Sequence, residues 1–352
     1  MGAITLAYCP ACDFIHNRRF TPDKSLFEPG YEASLTFSQL FRTYLQDLAT
    51  RLVESYDLNT KRILEIGCGE GDFLRLLCRL GDNTGLGIDP TIKQISNLDS
   101  GRGRIRFIRD YFTAEHARWP FDFLCCLSVF ESIPEPIEFL KIIRKGIGNR
   151  HGARLYFEVP NSMRYFASSG PWSIYYEQCN HFSRKTLPKA FVTAGFDVLQ
   201  AGAAYADEAY VYVEAKPATA SVQTANRSRR AEHVLPATLS HFTQSYRSSV
   251  TQWRRRLDRI AQSGQRAVVW GSGGKGISFL NTLDTADVIT YVVDINPNRQ
   301  NRYIPGSAQK VVAPEFLVQY QPDLIIITNG IYAREIRTQA EQLGLSCEYE
   351  GL

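Results

Sequence analysis

The sequence predicts an α/β protein with two doubly wound units, and three observations lead there. Two separate stretches read strand, glycine turn, helix, strand: "RILEIGCGEGDFLRLLCRLGDNTGLGIDP" from Arg62, and "RAVVWGSGGKGISFLN" with "VITYVVDINP" from Arg266. Strands alternating with helices of about ten residues build a mostly parallel sheet covered on both faces. The 352 residues exceed what one compact core holds, and a stretch poor in apolar residues, 217–237, separates the two patterns.

At the amino terminus, residues 1–30 carry little periodicity and begin with Cys9-Pro10-Ala11-Cys12. A C-x2-C turn is half of a zinc ribbon, which needs a second pair or two histidines. His16 is the only extra ligand nearby and no second C-x2-C occurs, so this segment reads as a truncated ribbon without metal. From Leu35 to Val53, the residues Leu40, Tyr44, Leu48 and Leu52 fall every four positions, an amphipathic helix. A strand at 62–66, a helix at 70–80 and a strand at 85–89 follow, then strands at 104–108, 122–127, 153–158 and 208–215. Residues 217–237 gain Ala, Ser, Thr and Arg and read as a linker. Beyond it, Leu239, Phe242, Tyr246, Val250, Trp253, Leu257 and Ile260 step by three and four, a strong amphipathic helix. The expected domains are therefore 1–30, 31–216 and 238–352, with 217–237 between the last two.

Composition narrows the function classes. Apolar content of 44% and charged content of 22% suit a globular protein, and a net charge of +4 is no nucleic-acid footprint. No run approaches the roughly 18–20 apolar residues of a membrane span. The start "MGAITLAYCPACDF" lacks the basic and apolar regions of a secretory signal. The cysteines Cys68, Cys78, Cys125 and Cys126 sit inside apolar runs, as buried reduced thiols do. A cytoplasmic enzyme acting on a small molecule, or a small-molecule binding protein, is the expectation, with no nucleic-acid or membrane partner.

The first glycine loop, "LEIGCGEGDF", places Gly67, Gly69 and Gly71 directly after an apolar strand. Glycines there let the backbone turn sharply and approach a ligand. The spacing is not the dinucleotide G-x-G-x-x-G, and Glu65, Glu70 and Asp72 at the turn would repel a pyrophosphate. They suit a ligand with positive charge and hydroxyls. Asp89 ends the second strand, where an acid binds ribose hydroxyls. Asp110 ends the third, placed for an adenine amino group with Tyr111 beside the ring.

These residues resemble class I S-adenosylmethionine-dependent methyltransferases. "ILEIGCGEGDFL" is similar to that family's first motif, "GIDP" to its second and "FDFLCCLSVFESIPEP" to its third segment. There Glu131 is present, but Ser132 stands where members often have histidine. The resemblance implies S-adenosylmethionine as cofactor, with Glu65, Gly67 and Gly69 at its methionine part, Asp89 at the ribose and Asp110 at the adenine. The second loop, "WGSGGKG", satisfies G-x-G-x-x-G with Gly271, Gly273 and Gly276, and Asp294 follows the next strand. Alone it would suggest NAD; a turn kept for packing or for a phosphate, through Lys275, is the alternative.

The order of parts resembles the three-domain sugar C-methyltransferases of deoxysugar pathways. The resemblance implies a Rossmann-like methyltransferase core, a second Rossmann-like carboxy-terminal domain and a nucleotide-diphosphate keto-sugar held between them. It also implies no NAD in the second loop. Two departures stand out: the family's ribbon has four cysteines, and its base histidine falls on Gln178 of "WSIYYEQCNHFS" (172–183). Glutamine is no base at neutral pH. His181, three positions on, has a suitable ordinary pKa, with Tyr175 and Glu177 as partners. Tyr176, Gln178 and Asn180 of the same stretch are expected on the acceptor. Tyr31, in "GYEAS", is expected as a lid, as the family's amino-terminal segment is.

Removing a proton beside a carbonyl needs a base and a means of stabilising an enolate. C-methylation of a keto-sugar is the leading expectation. An O- or N-methyltransferase on a small natural product needs less, because its acceptor requires no carbon acidity. A non-catalytic nucleotide-binding module and an NAD-dependent oxidoreductase using the second loop complete the alternatives.

Overall fold

The computed structural model describes residues 2–24, 27–93, 98–100, 103–167, 170–219 and 234–352. Most of the expected linker, 220–233, lies outside the described residues. The chain forms two compact units, each drawn from three segments.

The first unit comprises Met1–Tyr31, Thr43–Met163 and Tyr176–Glu232. It opens with a hairpin of β1 (Leu6–Cys9) and β2 (Phe14–Asn17), and takes most of α1 (Gln39–Tyr56). Next come β3 (Arg62–Ile66), α2 (Asp72–Gly81), β4 (Thr84–Ile88), β5 (Leu98–Ser100), β6 (Gly103–Ile108) and β7 (Phe123–Leu127). Then follow α3 (Pro136–Ile147), β8 (Arg154–Pro160), the start of α4 (Ser162–Ala167), β9 (Asn180–His181), α5 (Thr186–Thr193), β10 (Phe196–Ala204) and β11 (Tyr210–Pro217).

The large sheet has eight strands in the order β10-β11-β8-β7-β3-β4-β6-β5. Strands β6, β4, β3, β7 and β8 run parallel, while β11, β10 and β5 pair antiparallel. Strand order reverses between β3 and β7, so the crevice beyond their carboxyl ends is the natural ligand position. A separate three-stranded sheet joins β1, β2 and β9.

Two element boundaries correct the sequence reading. The first helix starts at Gln39 rather than Leu35, because Ser38 caps it: its Oγ accepts the Phe41 amide at 3.3 Å. The second starts at Asp72 rather than residue 70, because Gly71 sits at φ 85°, outside helical space.

One sheet face is apolar, with Leu155, Phe157, Val159, Val211 and Val213 packed among Phe130, Phe191 and the helix α3. The alternate residues of β8 and β11 face α1 and are polar, as the two-residue strand period requires. Glu158 there accepts from the hydroxyls of Tyr44 and Tyr156, the latter at 2.6 Å. Glu214 accepts from the Tyr56 hydroxyl and pairs with Arg51 at 2.6 Å. Both carboxyls are buried, at 1% and 2% exposure, so α1 is bound to the sheet by hydrogen bonds as well as by Leu45, Leu48 and Leu52.

The second unit comprises Glu32–Arg42, Arg164–Tyr175 and His233–Leu352. Its elements are α6 (Val234–Ser263), β12 (Ala267–Trp270), α7 (Gly274–Leu283), β13 (Ile289–Val293), β14 (Lys310–Val312) and α8 (Leu317–Tyr320). It closes with β15 (Leu324–Ile327), α9 (Ala333–Gln342) and β16 (Glu348–Gly351). The five strands are all parallel, in the order β14-β13-β12-β15-β16. Trp172 and Trp253 pack edge-on against Phe279, with centroids 5.1 and 5.0 Å away. No helix among the described residues is long and apolar enough to cross a membrane.

The Tyr44→Phe substitution removes one of two hydroxyl donors to a buried carboxyl. It is expected to cost about 1–3 kcal/mol, read as a lower urea midpoint, whereas Tyr303→Phe on the exposed surface should change nothing measurable.

Candidate functional site

The first glycine loop lies at the reversal point, between the end of β3 and the start of α2. Gly67 and Gly69 have φ of 70° and 52°, a region that side chains avoid. The two differ in surroundings. A Cβ on Gly67 would strike the Val129 side chain, whereas one on Gly69 would meet nothing within 4 Å. Gly67 serves packing, and Gly69 faces open space.

Asp89, one residue past β4, holds this loop. Its Oδ2 accepts the Gly69 amide at 2.8 Å, and its Oδ1 accepts the Thr91 amide at 2.7 Å and hydroxyl at 2.6 Å. Three of about four acceptor sites of a carboxylate are used, so one remains. Thr91 was not anticipated, although Asp-x-Thr is a recognisable side-chain turn. Glu70 also faces inward to the chain, its Oε1 accepting the Lys93 amide at 3.0 Å.

Glu65 lies under the loop, 3% exposed, and its Oε2 has no hydrogen-bond partner. Burial, opposed by the Leu74 amide and aided by Asp72 and Asp89, pushes its carboxyl well above the usual range. An orphaned buried carboxyl oxygen beside a loop with open space is the environment a cationic ligand group would complete.

Asp110 lies two residues past β6 and is exposed, with Oδ1 accepting the Tyr111 amide at 2.7 Å. The Tyr111 ring is 50% exposed. Its hydroxyl accepts the Phe27 amide at 3.1 Å and donates to the Phe27 carbonyl at 3.2 Å. Tyr31 packs edge-on to Phe27, centroids 5.0 Å apart. The structure therefore links Tyr31 and Tyr111 through Phe27, by a ring contact on one side and backbone hydrogen bonds on the other, and Phe27 is a residue the sequence reading missed.

Residues 172–183 divide between the units after Tyr175. Within the first unit, Tyr176 packs on Phe20 and its hydroxyl accepts the Thr21 amide at 2.8 Å. Glu177 is half-buried and Gln178 is buried. Asn180 donates to the Ile133 carbonyl at 2.6 Å, and Cys179 to that of Glu131 at 3.4 Å. His181 lies in β9, paired with Ile15 of β2. It is 3% exposed. Burial, with the nearby His16, lowers its pKa to about 4, so the imidazole is neutral through the physiological range.

Glu131, in the turn after β7, is a second buried acid that the sequence reading left unassigned. Its Oε2 has no partner, and burial, with Glu158 nearby, raises its pKa to about 8. Ser162 Oγ and Asn161 Oδ1, at the end of β8, are likewise buried without partners.

The second unit's loop is built differently. A Cβ on Gly271 would strike the Thr328 hydroxyl, and one on Gly274 would meet the Tyr175 ring at 2.9 Å. Asp294 accepts the Ser272 amide at 3.0 Å, the Ser272 hydroxyl, Arg299 at 3.3 Å and the Asn296 amide at 2.9 Å. Four donors fill the acceptor sites of the acid that a dinucleotide's ribose would need. Lys275, in the first turn of α7, bonds to Asn329 Oδ1 at 3.3 Å. Burial and the nearby Arg164 lower its pKa to about 8.

Residues 37–201 match a family model described as a methyltransferase domain, and residues 207–346 match one described as a C-methyltransferase C-terminal domain. No match was found among curated proteins. Among solved structures, magnesium protoporphyrin IX methyltransferase from Synechocystis PCC 6803 is 15% identical over 53% of this chain and 86% of its own, with TM-score 0.37. An S-adenosylmethionine-dependent methyltransferase from Clostridium acetobutylicum is 11% identical over 50% and 92%, with TM-score 0.37. N,N-8-amino-8-demethyl-D-riboflavin dimethyltransferase from Streptomyces davawensis is 19% identical over 49% and 54%, with TM-score 0.36. The family matches, which meet a sheet of the right topology with its glycine loop at the reversal point, define a Rossmann-like methyltransferase with a second methyltransferase-associated domain. The protein is a class I S-adenosylmethionine-dependent methyltransferase.

His181 gives a pH prediction. Its folded pKa is about 4 against an ordinary 6.5, so between these values the unfolded chain binds more protons. This contribution to stability is fully present above about pH 6.5 and is lost as pH falls toward 4, about 3 kcal/mol in all. Urea midpoints between pH 4 and 7 should show a slope that flattens in His181→Phe; an equal slope in the variant would remove His181 as its source.

Proposed function

We propose that the protein methylates carbon in a small polar acceptor, most specifically a nucleotide-diphosphate keto-sugar. The observation that carries the carbon acceptor is the match of residues 207–346 to a C-methyltransferase C-terminal domain. In this reading residues 31–216 hold S-adenosylmethionine, and residues 238–352 serve the substrate. Lys275 and Arg164 bring two positive charges near one another, which suits a diphosphate.

S-adenosylmethionine supplies, when bound, a methyl group on a sulfonium centre. Glu65 Oε2 would take its ammonium, and Gly69 would admit its close approach. The open acceptor site of Asp89 would take a ribose hydroxyl, and Asp110 the adenine amino group beside Tyr111. Tyr31 would shield the ligand from water, which strengthens every charge interaction inside.

For the acceptor, neutral His181 would remove the proton beside the carbonyl, leaving an enolate carbon as nucleophile. Glu177 would orient acceptor hydroxyls, with Tyr176, Gln178 and Asn180 of the same unit beside it in the chain. The low basicity of His181 favours one second reading, an O- or N-methyl acceptor that needs no carbon proton removed.

Two experiments test this. Calorimetry with S-adenosylmethionine should show Gly69→Ala binding about tenfold more weakly, about 1.4 kcal/mol, while keeping most of its stability. Gly67→Ala should lose stability first, through its clash with Val129. Equal binding in Gly69→Ala and wild type would overturn the placement of the cofactor.

The second experiment incubates the enzyme with nucleotide keto-sugars in deuterated water and follows products by mass spectrometry and NMR. Deuterium should enter beside the carbonyl, a carbon–methyl bond should form, and both should be lost in His181→Ala. Exchange surviving in that variant would exclude His181 as base. Methylated products from a panel without ketones would select the second reading.

A further inference from the structure

The amino-terminal C-x2-C turn plays no part in the reaction above, yet it is built for thiol chemistry. Cys9 ends β1 and pairs in register with Phe14, so Pro10–Asp13 form a four-residue loop that carries Cys12. Asp13 closes the loop at φ 57°, and its Oδ1 accepts the Tyr8 hydroxyl at 2.6 Å. Both sulfurs are only half-buried. The neighbouring Cys12 thiol, with the Cys12 and Ala11 amides, lowers the Cys9 thiol, while burial and Cys9 itself raise that of Cys12.

The remaining cysteines contrast with Cys9. Cys68, Cys78, Cys125, Cys126 and Cys179 are buried, and burial raises each of their thiols. Cys347 is half-buried, and its thiol is also raised. Among the described residues, Cys9 alone is lowered. Thiolate character and exposure select the reactive thiol, and a C-x2-C loop holds its resolving partner within bonding reach.

We propose that Cys9 and Cys12 are a redox-active dithiol that forms an intramolecular disulfide by exchange with a small disulfide such as oxidised glutathione. The Cys9 thiolate attacks one sulfur of the oxidant, forming a mixed disulfide and expelling one thiolate. Cys12 gives up its proton, and its sulfur attacks Cys9, expelling the second thiolate. Two protein thiols are oxidised, and one disulfide is reduced to two thiols, which take up the two protons.

The position gives the modification a route to the rest of the unit. The hairpin that carries the dithiol is the one whose β2 holds β9, with Ile15 opposite His181 and His16 opposite Asn180. Phe14, the residue paired with Cys9, packs on Phe182 with centroids 5.1 Å apart.

The test uses the full chain in glutathione redox buffers, read by peptide mass spectrometry after alkylation of free thiols. The peptide carrying both cysteines should lose two hydrogen atoms, while Cys347 stays alkylated. Iodoacetamide should modify Cys9 about tenfold faster than Cys347 at pH 7. Cys12→Ser should stop at a glutathione adduct on Cys9, and Cys9→Ser should form neither adduct nor disulfide. Equal alkylation of Cys9 and Cys347, with no disulfide even in pure oxidised glutathione, would overturn the proposal. So would an adduct that Cys12→Ser places on Cys347 instead.

Discussion

Among the described residues, three glutamates buried in the first unit without an ion-paired cation set the terms for what surrounds them. An unpaired buried carboxylate costs several kcal/mol, so such a group must hold a proton, gather donors or await a partner. Glu158 does the second: two tyrosine hydroxyls bond to it, and burial still raises its pKa to about 7. Glu65 and Glu131 each have an oxygen with no partner, and burial raises both carboxyls. Glu214, the fourth buried glutamate there, has Arg51. The two satisfied acids hold α1 against the sheet, and the two unsatisfied ones lie at the carboxyl ends of β3 and β7, where strand order reverses. Polar burial of the first kind specifies structure; that of the second kind leaves chemistry still to be completed.

The two glycine loops show how one backbone device takes two uses. In each, an acid after the second strand accepts an amide from the loop: Asp89 from Gly69, Asp294 from Ser272. Asp89 stops at three donors, and the neighbouring Gly69 has open space. Asp294 takes four, one from a guanidinium, and Gly274 is covered by the Tyr175 ring. Two of the three fingerprint glycines in the second loop, Gly271 and Gly276, are therefore explained by close packing, whereas Gly273 has only Arg299 within reach, at 3.4 Å. Gly271, Gly274 and Gly276 make room for Thr328, Tyr175 and the loop's own carbonyl. A fingerprint reports that the backbone must come near something, and only the surroundings say whether that something is a ligand or the protein itself.

The architecture was legible because apolar strands and glycine turns are local signals. β3, β4, β7 and β8 lie within about two residues of their expected bounds, and the loop at Gly67 and Gly69 is where the pattern puts it. Helix starts were less legible, since they depend on capping and on a positive φ: Ser38 and Gly71 moved them inward. Least legible were contacts between distant segments. Nothing near Tyr111 in sequence points to Phe27, and nothing near Lys275 points to Arg164. The stretch 172–183 reads as one polar wall, yet its first four residues belong to one unit and the rest to the other.

His181 shows why residue type alone does not assign a proton acceptor. From its ordinary pKa it reads as a base poised near neutrality. In β9 it is enclosed, with His16 close by, and both effects favour the neutral ring. That makes the acceptor form fully available at pH 7 and at the same time a weak one. A ketone whose oxygen is held by a donor loses its neighbouring proton far more readily than a free one. A protonated Glu131, in the turn bonded to Cys179 and Asn180 through its backbone, belongs to the same stitched region as His181. Burial thus sets a neutral imidazole and a raised carboxyl within one stitched region of the first unit.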